Sequence, residues 1–204
     1  MKPIVASNTA LVIVDLQNDF LAPAGAYARG GANNPAASAL PEHVARVAKS
    51  LKAHGGLVTA SQFTLWPDAR GEPLISAHLK ALRPFLRRGD FAPGSTGQML
   101  VDSLVPLVDV TVHKVAYSAF FETQLDWVLK HAGINTVVVC GIVTNGGVAS
   151  TVRDAHMREY RTLVLADGCA AFGETAHDNA LADMRSIAEV MDCAAFMQAL
   201  GAGA

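Results

Sequence analysis

The chain has 204 residues, of which 51% are hydrophobic and 17% charged, long and apolar enough for one well-buried domain and too apolar to stay disordered. Sixteen basic against 18 acidic residues leave a net charge of -2, and no basic run exceeds Arg87-Arg88, which argues against a nucleic-acid partner. Cys140, Cys169 and Cys193 are odd in number and lack CxxC spacing, so neither a disulfide framework nor a zinc finger is expected.

In chain order, the N-terminal apolar run is broken by Ser7, Asn8, Thr9 and Asp15, which predicts neither a signal peptide nor a membrane span and points to a cytoplasmic protein. Strands are predicted at 10–15, 57–61, 110–114, 136–140, 162–166 and 189–191, each a short Val/Ile/Leu-rich run followed by an amphipathic stretch. That alternation predicts an α/β fold over residues 1–204, a three-layer α/β/α domain with a six-stranded, mainly parallel sheet. Helices are expected from near Pro41 to His54-Gly55-Gly56 and from near Glu122 to Gly133, with glycine at the C-terminal end of each. Between Phe63 and Gly97, four prolines and four glycines interrupt a single helical pattern near Leu74 to Leu82. This predicts a long excursion over the sheet edge, either a binding surface or a plain insertion. The stretch from Ala22 to Ala39 is a second loop-like candidate.

In an open parallel sheet, ligands bind beyond the carboxyl ends of the strands, so polar residues there are the first candidates for chemistry. Asp15 closes LVIVD and Lys114 closes VTVHK. Brought together, an Asp and a Lys shift each other's proton affinity and can place a general acid or base at neutral pH; the alternative is a buried structural ion pair. After TVVVC, the backbone amides of Gly146, Gly147 and Val148 open a helix and could face a developing negative charge.

The motifs ALVIVDLQNDF, HKVAYSAFFETQL and CGIVTNGGVASTVRDAHMREY, followed by VLADGCAAF, resemble in the same order those of the isochorismatase-like or cysteine-hydrolase family, over about 10–195. The resemblance implies that fold, with Asp15 and Lys114 as catalytic residues. It also implies a non-proline cis peptide at Val143-Thr144, turning backbone amides of Val143, Thr144 and Asn145 toward substrate. Amidase members carry a nucleophilic cysteine where this chain has Gly147, and none of the three cysteines looks able to replace it. Nicotinamidase members hold a metal with an Asp-x-His pair after the second strand, where this chain reads SQFTLWPDAR, so no metal or other cofactor is expected. True isochorismatases also have Gly at the cysteine position. Gln62 and Arg70 lie in nearly the arrangement with which those enzymes hold substrate carboxylates, and the run from Tyr117 to Phe121 matches too. Thr144-Asn145 instead resembles the amidase branch.

The reading that follows is a metal-free hydrolase of a small carboxylate-bearing molecule, with vinyl-ether cleavage by Asp15 as general acid placed first. An amide or ureido hydrolase using activated water, or a silent small-molecule-binding relative, are the alternatives. The resemblance further implies a homodimer or homotetramer.

Overall fold

The computed structural model describes residues 3–32 and 35–201. Within them, the strands are β1 (Thr9–Val14), β2 (Leu57–Phe63), β3 (Val110–Lys114), β4 (Thr136–Ile142), β5 (Arg161–Ala170) and β6 (Glu189–Met191). The helices, in chain order, are α1 (Asn18–Leu21), α2 (Ala26–Arg29), α3 (Pro35–Ala53), α4 (Ala77–Leu82), α5 (Leu125–His131), α6 (Ala149–Met157), α7 (Glu174–Met184) and α8 (Cys193–Gly201). The strands form one parallel sheet of order β3-β2-β1-β4-β5-β6. Helices α3 and α8 pack on one face, and α6 and α7 pack on β5 and on each other on the other face, giving the expected three layers.

Both central strands, β1 and β4, are buried along their whole length, which is why they read as unbroken apolar runs. From β1 the chain builds outward to β2 and β3, and then crosses back to lay β4 on the opposite side of β1. The reversal makes the carboxyl ends of β1 and β4 a topological switch point, where the two sets of loops part and leave a crevice.

Several boundaries differ from the sequence expectation for identifiable reasons. Helix α3 begins at Pro35 and carries Pro41 inside it. Helix α5 begins only at Leu125, because Glu122 has φ 54° and cannot belong to a right-handed helix. Strand β5 runs on to Ala170 past an irregularity, so that Gly141 pairs with Cys169 after Val139 pairs with Val164. Within 22–39, α2 and the start of α3 are helical, while Asn33 and Asn34 lie outside the described residues.

The excursion after β2 is an ordered strap. Its side chains Leu65, Leu86 and Phe91 join Ala26 and Tyr27 in a second apolar cluster separate from the main core. Polar clamps from the first motif hold it down. The buried Asp19 carboxylate accepts from Phe91 N at 2.7 Å and Ala26 N at 3.1 Å, and Gln17 Nε2 donates to Phe63 O and Gln98 O. No helix among the described residues is long and apolar enough to cross a membrane.

Candidate active site

Sheet register assembles the site. Val14 pairs with Ser61 on one side and with Gly141 on the other, while Phe63 pairs with Lys114. Asp15, the first residue beyond β1, therefore stands beside the ends of β2 and β4. Its φ of 58° lies in the left-handed region, a conformation that costs about 1–3 kcal/mol and is concentrated at functional sites. Gly141, at φ 115°, lies so close that a Cβ would stand 2.1 Å from Val14 O, so no side chain fits there.

The Asp15 and Lys114 side chains are both almost fully buried, and Lys114 Nζ lies 2.7 Å from Asp15 Oδ2. Ser61 Oγ donates to Asp15 Oδ1 at 3.0 Å. Burial raises the carboxyl's proton affinity above the ordinary Asp range, while Lys114 and the Ser61 hydroxyl pull it back. Lys114 Nζ also donates to Ala116 O at 2.8 Å and Tyr117 O at 3.0 Å. Its three protons are thus committed to Asp15 and two carbonyls, which suits it to orienting Asp15 and leaves no free N–H for an anion.

These groups open onto a cavity of about 280 Å³. Asp15, Lys114, Ile142, Val143 and Gly147 form its strand-end wall, and Phe20, Tyr27, Phe63 and Phe172 give it an aromatic lining. The opposite wall is the strap, through His78, Leu79, Leu82, Arg83 and Leu86. Tyr27 stacks on Phe172 with ring centroids 5.4 Å apart, and the Tyr27 hydroxyl accepts from Arg83 Nε at 3.1 Å.

A Cβ at Gly147 would stand 3.5 Å from Asp15 Oδ2, 3.0 Å from Ile142 O and 3.0 Å from Val14 Cγ1. The resemblance puts the amidase thiol at this residue, so the carboxylate faces the volume which that side chain would fill. Cys140, Cys169 and Cys193 are buried, and none lines this cavity. Burial pushes the Cys140 thiol well above its usual range and Cys169 up to about 12, so neither is a thiolate at neutral pH.

Of the other expected site residues, Tyr117 and Val143 line the cavity, whereas Gln62, Arg70, Phe121, Thr144 and Asn145 do not. Strand alternation separates Gln62 from its neighbours: Ser61 and Phe63 face the site, and Gln62 between them points away and donates to Gln98 O. Arg70 sits at the strap's outer turn, its exposed guanidinium 3.4 Å from Asp68. Phe121 is half-exposed, and its neighbour Phe120 is the one that packs inward, against Tyr160. Thr144 Oγ1 bonds His177 Nδ1 at 2.8 Å, and Asn145 is exposed.

The cis peptide is Ile142-Val143, one residue before the expected bond. The Gly146 and Val148 amides both donate to Val143 O inside a π-turn, so of the three amides Gly146, Gly147 and Val148 read as able to face a developing negative charge, two are already engaged. Ser61, Tyr27, Phe172 and Arg83 escaped sequence reading. Ser61 alone had a local signal, as the strand-end residue that alternation puts on the side of Asp15. Among the described residues, no three His, Cys, Asp or Glu side chains converge as a metal ligand set.

Comparison with known proteins identifies the family and the fold. The sequence model of the isochorismatase domain matches residues 9–195. Ureidoacrylate amidohydrolases RutB from Methylobacterium radiotolerans and Methylorubrum extorquens strain AM1 are 35% and 36% identical to the chain. Each alignment covers 96% of this chain, and 80% and 84% of the respective relatives. The crystal structure of a cysteine hydrolase from Pseudomonas syringae pv. phaseolicola 1448A superposes with a TM-score of 0.86 at 25% identity, covering 100% of this chain and 97% of that one. N-carbamoylsarcosine amidase from Thermoplasma acidophilum superposes with a TM-score of 0.72 at 26% identity, covering 91% and 96%. A domain match over nearly the whole length, joined to a shared fold, establishes that the chain belongs to the isochorismatase family of hydrolases.

Proposed function

We propose that the protein hydrolyses the C–N bond of a small amide or ureido compound, with water rather than a thiol as the attacking group. The observation that carries this reading is the buried Asp15 carboxylate on the cavity wall beside Gly147, a residue with no side chain to attack. A water held there gives a proton to Asp15 Oδ2 while its oxygen adds to the substrate carbonyl carbon. The tetrahedral intermediate collapses as Asp15 returns that proton to the leaving nitrogen, and the C–N bond breaks. Lys114 is the positioning residue that orients Asp15 and favours its ionised form against the effect of burial. The curated relatives named as ureidoacrylate amidohydrolases, together with Thr144-Asn145, support amide cleavage over the vinyl-ether cleavage that Gly147 alone favours.

Vinyl-ether cleavage is the second reading, because burial raises Asp15's proton affinity and so also suits it to donating a proton to carbon. Assays of 3-ureidoacrylate, simple amides and isochorismate with wild type, Asp15→Asn and Gly147→Cys separate the two. Release of amine or ammonia by the wild type that is lost in Asp15→Asn is the expected result. Enol-ether cleavage with no amide turnover overturns the proposal. Activity unaffected by thiol alkylation in the wild type, but sensitive to it in Gly147→Cys, is expected if water is the native attacking group and residue 147 faces the reacting carbon.

A further inference from the structure

The cavity has one charged group that the proposed chemistry does not use. Arg83 follows α4 on the strap wall, partly buried, across the cavity from the sheet. Its Nε donates to the Tyr27 hydroxyl at 3.1 Å and its Nη1 to Leu82 O at 3.2 Å, both neutral acceptors. The Tyr117 phenol lies beside the same guanidinium. Among the described residues Arg83 forms no ion pair; Arg46, Arg87 and Arg185 form none either, but they are exposed, whereas Arg83 is partly buried in the cavity wall. A guanidinium held against aromatic and aliphatic side chains without a carboxylate has been partly stripped of water and given no counter-charge in return. A planar anion arriving in the cavity would supply it, since the fork of N–H donors matches a carboxylate.

Lys114, the other Lys or Arg among the described residues lining the cavity, cannot serve, because its donors are engaged by Asp15 and two carbonyls. The Tyr27 hydroxyl, bonded to Arg83, belongs to a residue that lines the same cavity as Asp15. Between them the lining is apolar, through Phe20, Phe63, Leu79 and Leu86.

We propose that Arg83 is the substrate's carboxylate anchor, so that the site selects molecules whose acid group is separated from the scissile carbonyl by a short apolar spacer. This rests on reading the site as an amide or ureido hydrolase, but its test does not depend on turnover. The probes are 4-oxopentanoate, 5-oxohexanoate and 6-oxoheptanoate, which carry a carbonyl and an acid but no C–N bond, each paired with its methyl ester. Their affinities for wild type, Arg83→Gln and Arg83→Lys are measured by calorimetry. A charge-assisted contact to a carboxylate is expected to favour at least one acid over its ester by about tenfold or more in the wild type. Arg83→Gln, which can still donate to Tyr27, should bring that preference to within about twofold, and Arg83→Lys should retain part of it.

An acid preference equal in Arg83→Gln and wild type overturns the anchor, as does a wild type that prefers none of the three acids. If the preference behaves as expected but neither a 2- to 4-carbon ureido acid nor the corresponding amide acid is cleaved, the proposed reaction fails and the anchor stands. Cleavage with an unchanged preference in Arg83→Gln removes the anchor and leaves the reaction standing.

Discussion

The two walls of the cavity are built on different principles. The strand-end wall, with Asp15, Lys114, Ile142, Val143 and Gly147, hangs on parallel register between strands buried in the main core, and every polar atom of the Asp15-Lys114 pair has a fixed partner. The strap wall rests on one short helix, a small apolar cluster and a few clamps: Asp19 to Phe91 N, Arg29 to Asp90 at 2.5 Å, and Arg83 to Tyr27. Chemistry that depends on tenths of an ångström is carried by the rigid wall, and the surface that selects a substrate by shape and charge is carried by the lightly anchored one. This division predicts that lesions on the first wall remove turnover, whereas lesions on the second mainly change binding.

The largest effect is expected from Asp15→Asn. Among the described residues it removes the only carboxylate lining the cavity, and it leaves the Lys114 ammonium buried without its counter-charge. Turnover should fall by about a hundred- to ten-thousandfold, and urea unfolding should show a loss of about 3–5 kcal/mol. In Asp15→Asn/Lys114→Met most of that stability should return while turnover does not. A single variant with near-normal turnover would detach the chemistry from this wall.

Lys114→Met tests the electrostatics of the same pair. Lys114 pulls the Asp15 carboxyl down against burial, so without it burial acts unopposed and the carboxyl's pKa rises further. A general base must be deprotonated, and the acid limb of kcat/KM should therefore move to higher pH than in wild type. Because Asp15's folded value lies above its unfolded one, its stabilising contribution is complete below about pH 3.8 and is lost as pH rises through the folded value. In Lys114→Met that loss should extend to higher pH, as pH-dependent melting would record.

Asp19→Ala should act on the other wall. Two buried backbone N–H groups, of Ala26 and Phe91, lose their acceptor, at a cost of about 1–3 kcal/mol. If the strap is the separately anchored unit, amide exchange over residues 64–98 should accelerate more than in the sheet, and KM should rise more than kcat falls. Uniform acceleration across sheet and strap would mean that the two walls unfold as one.

What was legible in the sequence follows the same division. Asp15 and Lys114 each close a short strand run, so a local pattern and one rule about parallel sheets were enough to bring them together, whereas Gly147, in the turn after β4, was singled out by the family resemblance. Gln62 went astray because linear spacing says nothing of the side to which a strand residue points, and alternation turns it from the site that Ser61 and Phe63 face. Tyr27, Arg83 and Phe172 come from three separate segments and meet only after the strap folds over the sheet, which leaves no periodic trace. Asp19 and Gln17 lie in the same motif as Asp15, yet their work is to hold that strap.

The smallest effect is expected from Arg70→Gln, which sharpens the comparison because Arg70 and Arg83 share the strap. Arg70's guanidinium is 85% exposed and only 3.4 Å from Asp68, an arrangement that contributes little in water. The local turn does not depend on its charge: Asp68 Oδ1 accepts from the backbone N–H of Arg70 and of Glu72, and both bonds survive the substitution. Binding of a carboxylate substrate should therefore stay within about twofold of wild type, below the tenfold expected at Arg83. A tenfold weakening in Arg70→Gln would mean that the outer turn swings over the cavity when substrate arrives, bringing a distant guanidinium to the acid group. Amide exchange over residues 66–73, compared with and without 5-oxohexanoate, separates these outcomes. A fixed strap leaves that turn's exchange unchanged, whereas a closing strap slows it in the wild type and not in Arg70→Gln.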